Sequence, residues 1–143
     1  KRVYFTLGGS DAVDSTVRFI RYYQQARGKP QKDQFISIEQ GYHGSSTVGA
    51  GLTALPAFHA GFGVPYDWQH KIPSHYTYRN PVGSDPAAVI AASLAALKAK
   101  VDEVGGAERV AAFYCEPIQG SGGVLVPPPG WVKAMRDLCA ELA

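Results

Sequence analysis

The chain has 143 residues, long enough for one domain with a sizeable core, and its 45% hydrophobic and 18% charged content excludes a disordered polyelectrolyte. A formal charge of +2, with Lys and Arg scattered along the chain, offers no stripe for nucleic acid, and no apolar stretch approaches the roughly 20 residues that cross a bilayer. Cys115 and Cys139, the two cysteines, fall in strand-like and helix-like surroundings and read as buried free thiols, which points to a reducing, cytoplasmic compartment.

Val3-Tyr4-Phe5 is the first strand candidate, and Lys1-Arg2 leads into it with no secretory leader. The pattern begins without a cap and stops at Ala143 inside a helical run, so a segment of a longer protein is expected. A helix is predicted from about Asp11 to Arg27, with Val13, Thr16, Val17, Ile20 and Tyr23 at helical spacing. Gly28 and Pro30 end it. Phe35 to Ile38 forms a short strand closed by Gly41. Residues 45–83, rich in Gly, Pro, His and aromatics, read as a long functional or interfacial excursion with some local helix.

A second helix runs from Ser84 to Val104, with Ser84 as cap, Pro86 in the first turn, and Val89, Ile90, Leu94, Leu97 and Val101 as its stripe. Val110 to Cys115 is an apolar run of the kind a doubly covered strand requires. A last helix carries Trp131, Met135, Leu138 and Leu142 on one face. This alternation predicts an α/β fold, a three-layer sandwich with a mainly parallel sheet. Ligands then bind beyond the carboxyl ends of the strands, where three loops lie: Gly8 to Ser10, Glu39 to Ser46, and Glu116 to Gly123.

The first loop, "TLGGSDAVDS", delivers the chain into a helix N-terminus whose first N–H groups lack intrahelical partners. Gly8 and Gly9 leave that backbone bare, and Ser10 adds a hydroxyl, which together suit a phosphate. A tight turn with Ser10 as a plain N-cap is the alternative. The spacing matches neither G-x-G-x-x-G nor G-x-x-x-x-G-K-[ST]. In "EQGYHGSST", Tyr42 stands between glycines, free to stack on a planar heteroaromatic or to plug the top of the core. His43 is a second candidate, or a satisfied structural histidine. Glu116 follows a strand directly, so its carboxylate is either tied to backbone donors or aimed into a site, because burying it unpaired is costly. No residue set is assigned to a metal.

The stretches "VYFTLGGSDAVDSTVRFIRYY", "GYHGSSTVGA" and "AAFYCEPIQGSGGVLVPPPGW", in this order, resemble the class III, fold-type I aminotransferases that use pyridoxal 5'-phosphate (PLP). The resemblance covers nearly the whole chain and implies the first half of that family's large, cofactor-binding domain. It implies that Gly9 and Ser10 hold the cofactor phosphate, that Tyr42 stacks on the pyridine ring, and that Glu116 supports the ring; His43 and Gly44 belong to the same motif. Many relatives have Asn-Ser-Gly-Ser-Glu where this chain has Leu7 to Asp11, so a serine hydroxyl is lost at Gly8. Ser121 stands where relatives acting on ornithine, acetylornithine or 4-aminobutyrate often have Glu, which is closer to the ω-amine:pyruvate branch. The Schiff-base lysine and the aspartate facing the pyridine nitrogen are expected downstream of Ala143, and no lysine of this chain is assigned that role. The implied activity is transfer of an amino group from an amine or ω-amino acid to a keto acid such as pyruvate, by a cytoplasmic homodimer. Another PLP chemistry on the same fold (racemase, mutase or decarboxylase) and a non-catalytic domain are the alternatives.

Overall fold

Strand β1, Gln34–Ile38, sends successive side chains to opposite faces, and that alternation sets the layers. The computed structural model describes residues 2–143. On one face Phe35 packs with Val17 of helix α1, Gly9–Ala26, and Leu52 of the short helix α2, Thr47–Leu52. On the other, Ile36 and Ile38 pack with Leu97 and Val101 of α3, Pro86–Glu103, and with Trp131, Met135 and Leu138 of α4, Trp131–Glu141. Strand β1 lies between β2, Gln69–Ile72, and β3, Val110–Phe113, and both pairings are parallel. The predicted three-layer α/β arrangement with a parallel sheet is therefore present, and the carboxyl ends of the strands share one edge of the molecule.

Helix α1 starts two residues earlier than the periodicity suggests, with Gly8 rather than Ser10 as N-cap. It ends at the expected glycine: Gly28 adopts φ +72° and the Lys29 N–H reaches back to the Gln24 carbonyl at 2.9 Å, a glycine-closed terminus. Its inward stripe is Val13, Val17 and Ile20 with Gln24. Tyr23 is instead exposed, because the next residue, Gln24, one turn on from Ile20, takes the inward place and donates to the Ala111 carbonyl at 3.4 Å. In α3 the cap is Asp85, whose carboxylate accepts from the Ala88 N–H at 2.8 Å; Ser84 lies one residue too early for that contact. Pro86 occupies the first turn as predicted.

Three other expectations change. Val3 to Phe5 forms no strand; the segment is extended and exposed, with Tyr4 resting edge-on against Phe19 at 5.2 Å, since among the described residues no strand lies alongside to complete a ladder. Strand β3 stops at Phe113, and all four of its residues are half-buried. Among the described residues it has a neighbouring strand on one side only, so it is not covered as fully as its apolar run suggests. The excursion of residues 45–83 contains a strand, β2, besides α2 and a 3₁₀ turn at Pro56–Phe58. Both cysteines are free and half-buried, and no helix among the described residues is long and apolar enough to cross a membrane.

Leu97 is 1% exposed within the larger cluster. Leu97→Ala is expected to lower stability by about 2–5 kcal/mol, measured by denaturant titration of the protein, whereas Lys98→Ala on the exposed face should change it by less than about 0.5 kcal/mol.

Candidate functional site

The N-terminus of α1 meets the loops that leave β1 and β3. Gly9, Ser10, Tyr42, His43 and Glu116, the five residues selected from sequence, all line one open cleft of about 550 Å³, together with Gly44. Val13, Cys115 and Pro117 complete the lining; sequence reasoning had assigned Val13 only to a helix stripe and Cys115 only to a buried strand. No lysine among the described residues lines it. A smaller cavity of about 140 Å³ beside β3, lined by apolar side chains such as Leu97 and Phe113, shares no residue with the cleft.

The glycine corner is open. Gly8 is extended at φ −172°, ψ 175°, which any residue tolerates, and a Cβ at Gly8 or Gly9 meets nothing within 4 Å. Neither backbone strain nor internal packing requires glycine there. What a side chain would do is cover the first-turn N–H groups, and those of Gly9 and Ser10 have no acceptor among the described residues. The Asp11 carboxylate turns away from them and accepts from the Leu7 N–H at 3.1 Å. Exposed amides at a helix N-terminus, with the helix dipole behind them, favour an anion. Ser10 is the second residue of α1 and not its cap; its Oγ accepts from the Ser45 N–H at 3.0 Å, leaving its proton for an anion in the cleft.

Gly44 and Gly41 bring the tyrosine loop close. Gly44 has φ +115°, and a Cβ there would lie 2.7 Å from Ser10 Oγ. A Cβ on Gly41 would lie 2.9 Å from the Ile38 carbonyl oxygen. Tyr42 between them is half-buried and its N–H donates to Glu116 Oε1 at 2.7 Å. Glu116 Oε2 accepts from the Gly120 N–H at 3.0 Å. The carboxylate of Glu116 is tied to backbone donors through both oxygens, and the residue lines the cleft. Ser121, in the turn after Gly120, is exposed and outside the cleft.

His43 is 6% exposed. Its N–H donates to Thr53 Oγ1 at 2.8 Å, and its ring meets Tyr114 edge-on at 5.5 Å. Nε2 has no hydrogen-bond partner among the described residues. Burial pushes the imidazole down to about 4, with Glu116 opposing and Lys71 reinforcing the shift, so the ring is neutral at pH 7 and supplies no positive charge. Lys71, whose Nζ donates to the Gly51 carbonyl at 2.7 Å, is itself pushed down to about 8 by burial.

The "Aminotransferase class-III" sequence profile matches residues 1–142. The chain belongs to the class-III aminotransferase family. Putrescine–pyruvate aminotransferase of Pseudomonas aeruginosa is 39% identical over 141 residues, covering 97% of this chain and 30% of the relative. A probable mitochondrial gamma-aminobutyrate transaminase of Oryza sativa is 38% identical, covering 94% and 26%. The fold matches an amine transaminase from an uncultivated Pseudomonas species in its PLP-bound form, with TM-score 0.95, 34% identity, and coverage of 99% of this chain and 32% of that one. An omega transaminase from Pseudomonas jessenii in complex with PMP gives TM-score 0.94 at 34% identity, covering 99% and 31%. The chain thus spans under a third of the length of these relatives. Class-III aminotransferases are PLP enzymes, and a helix corner of bare amides facing an aromatic loop is chemically suited to a phosphorylated heteroaromatic.

Gly44→Ala is expected to lose about 1–3 kcal/mol of stability from the positive-φ backbone alone, more once Ser10 is displaced, read by thermal melting. The pH response follows from His43. Its folded value lies below the ordinary 6.5, so between about 4 and 6.5 the unfolded chain binds more protons, and stability falls as pH drops through that window. Burial lowers His70 and His75 as well, which adds to the slope in the same direction. In His43→Asn the slope of stability against pH should become shallower; an unchanged slope contradicts a buried neutral imidazole.

Proposed function

We propose that this chain is the cofactor-gripping part of a PLP-dependent aminotransferase that moves an amino group from an amine or ω-amino acid to a keto acid such as pyruvate. The observation that carries this reading is the convergence of Gly9, Ser10, Tyr42, His43 and Glu116 on one cleft at the carboxyl ends of parallel strands. The amides of Gly9 and Ser10 and the Ser10 hydroxyl would hold the cofactor phosphate, and the Tyr42 ring would cover the pyridine and exclude water from it. Glu116 fixes the Tyr42 backbone through its 2.7 Å contact, so the covering ring is presented from a rigid loop. When bound, PLP supplies an electron sink for the pair left as a substrate C–H bond breaks.

In this proposal the amine that moves the proton and the aspartate facing the ring nitrogen belong to sequence downstream of Ala143; the chain's coverage of about 30% of its relatives supports this. Pyruvate as acceptor is supported by the putrescine–pyruvate relative and by Ser121 in place of a glutamate. Assembly as a homodimer is part of the proposal, supported by exposed aromatics such as Tyr66 and Tyr78 on the excursion. Two free thiols support a cytoplasmic setting.

Purified full-length protein should carry an absorbance band at the visible edge. An amine donor should bleach it and pyruvate should restore it with formation of alanine. A colourless protein that PLP cannot reconstitute overturns the reading, and product formed without a keto acid assigns the site to another PLP chemistry. Tyr42→Leu should weaken PLP binding by about twofold to tenfold in equilibrium titration. Sedimentation as a monomer would rule out the dimer.

A further inference from the structure

Phe58 lies outside the five selected residues, yet it touches the one whose orientation matters most. Its ring meets the Tyr42 ring edge-on, with centroids 5.4 Å apart and planes at 62°, and among the described residues Tyr42 has no other aromatic neighbour. A tyrosine covers a flat heteroaromatic only if its own plane is held, because a tilted ring loses most of the face contact. Backbone anchoring by Glu116 fixes where Tyr42 starts and not how its ring turns.

The residues around Phe58 are built to keep it in place. It closes the Pro56–Phe58 turn, whose first residue has the φ that such a turn needs. The Phe58 N–H donates to the Leu55 carbonyl at 2.9 Å. Next in sequence, His59 donates from Nε2–H to the Thr53 carbonyl at 2.7 Å and leans towards the Ala50 carbonyl at 3.2 Å, which fastens the turn to the end of α2. Thr53, fully buried, works in the other direction. Its Oγ1 accepts from the His43 N–H at 2.8 Å and donates to the Gly44 carbonyl at 3.3 Å, while the Ala54 N–H donates to the Gly41 carbonyl at 2.9 Å. Residues 53–59 therefore grip the tyrosine loop on both sides of Tyr42 and place one aromatic edge against its ring. Beyond Phe58 lies a second hollow of about 340 Å³, lined in part by Ala50, Ala57, Phe62 and Val64, so the Phe58 ring is also a wall between that hollow and Tyr42.

We propose that Phe58 is a positioning residue that fixes the plane of the Tyr42 ring over the bound cofactor, with the Thr53–His59 segment as its mount. The inference rests on the aminotransferase reading above. Removing the edge contact opens space for Tyr42 to tilt, and the cofactor ring then loses both affinity and its fixed, asymmetric surroundings.

The test uses the full-length protein and PLP itself. Phe58→Ala should fold, by thermal melting, yet bind PLP about threefold to tenfold more weakly and show reduced circular dichroism in the cofactor's absorption band at saturating PLP. Phe58→Tyr, which keeps an aromatic edge, should restore both readouts. Phe62→Ala, on the far side of the hollow, should leave both unchanged, which separates the contact from general loosening of the excursion. Wild-type dissociation constant and dichroism in Phe58→Ala overturn the role of Phe58 alone. Absence of PLP binding by the wild-type protein overturns the aminotransferase reading, and the positioning role with it.

Discussion

The 3.0 Å hydrogen bond from the Ser45 N–H to Ser10 Oγ joins the two halves of the cleft. One half is the start of α1 with its bare amides; the other is the loop that carries Tyr42. The bond is possible because Gly44 has no side chain to hold the two segments apart. A second hydroxyl repeats the linkage one residue on, where Ser46 donates to Asp14 Oδ1 at 2.6 Å and accepts from the Gly49 N–H at 3.2 Å as the cap of α2. The two helices and the loop between β1 and α2 are thus tied to one another. Anything gripped by the amides sits at a set distance from the tyrosine, which is what recognition of a two-part ligand, anion and ring, requires.

Glu116 brings in the third loop. Its two oxygens serve N–H groups from different segments, Tyr42 and Gly120, so one side chain satisfies donors that neither sheet nor helix reaches. Glycine again permits the approach: a Cβ on Gly122 would lie 2.3 Å from the Gln40 carbonyl oxygen. Gln119 adds a further tie through Nε2 to the Glu39 carbonyl at 2.8 Å. Close backbone contact and a shared carboxylate hold the two strand-end loops in register with each other.

The amphipathic helices were legible in the sequence because burial imposes a period, and α1, α3 and α4 keep it. Strand β2 was not, since Gln69-His70-Lys71-Ile72 shows no apolar alternation. Its inward Gln69 is satisfied by helix α2 and by the turn just before the strand, donating to the Val48 carbonyl at 2.9 Å and accepting from the Tyr66 N–H at 3.0 Å. Val3 to Phe5 shows the converse, strand-forming residues without a neighbouring strand. In the site, Gly9, Ser10, Tyr42 and Glu116 could be selected because each follows a strand or opens a helix in an alternating α/β pattern. Ser45, Ser46, Thr53 and Phe58 act through contacts between separate segments of the chain, and no local spacing announces those.

The order of strands across the sheet, β2-β1-β3, puts the first of the three described strands in the middle. Both of its partners in this sheet follow it in sequence and reach it by two long crossovers, the slow kind of pairing that leaves apolar surface uncovered meanwhile. The cleft waits longer still, because its tyrosine loop is secured by a glutamate that follows the last of the three strands. A ligand seated in this cleft is accordingly gripped only after β1 and β3 have paired: it can reward that pairing and cannot template it.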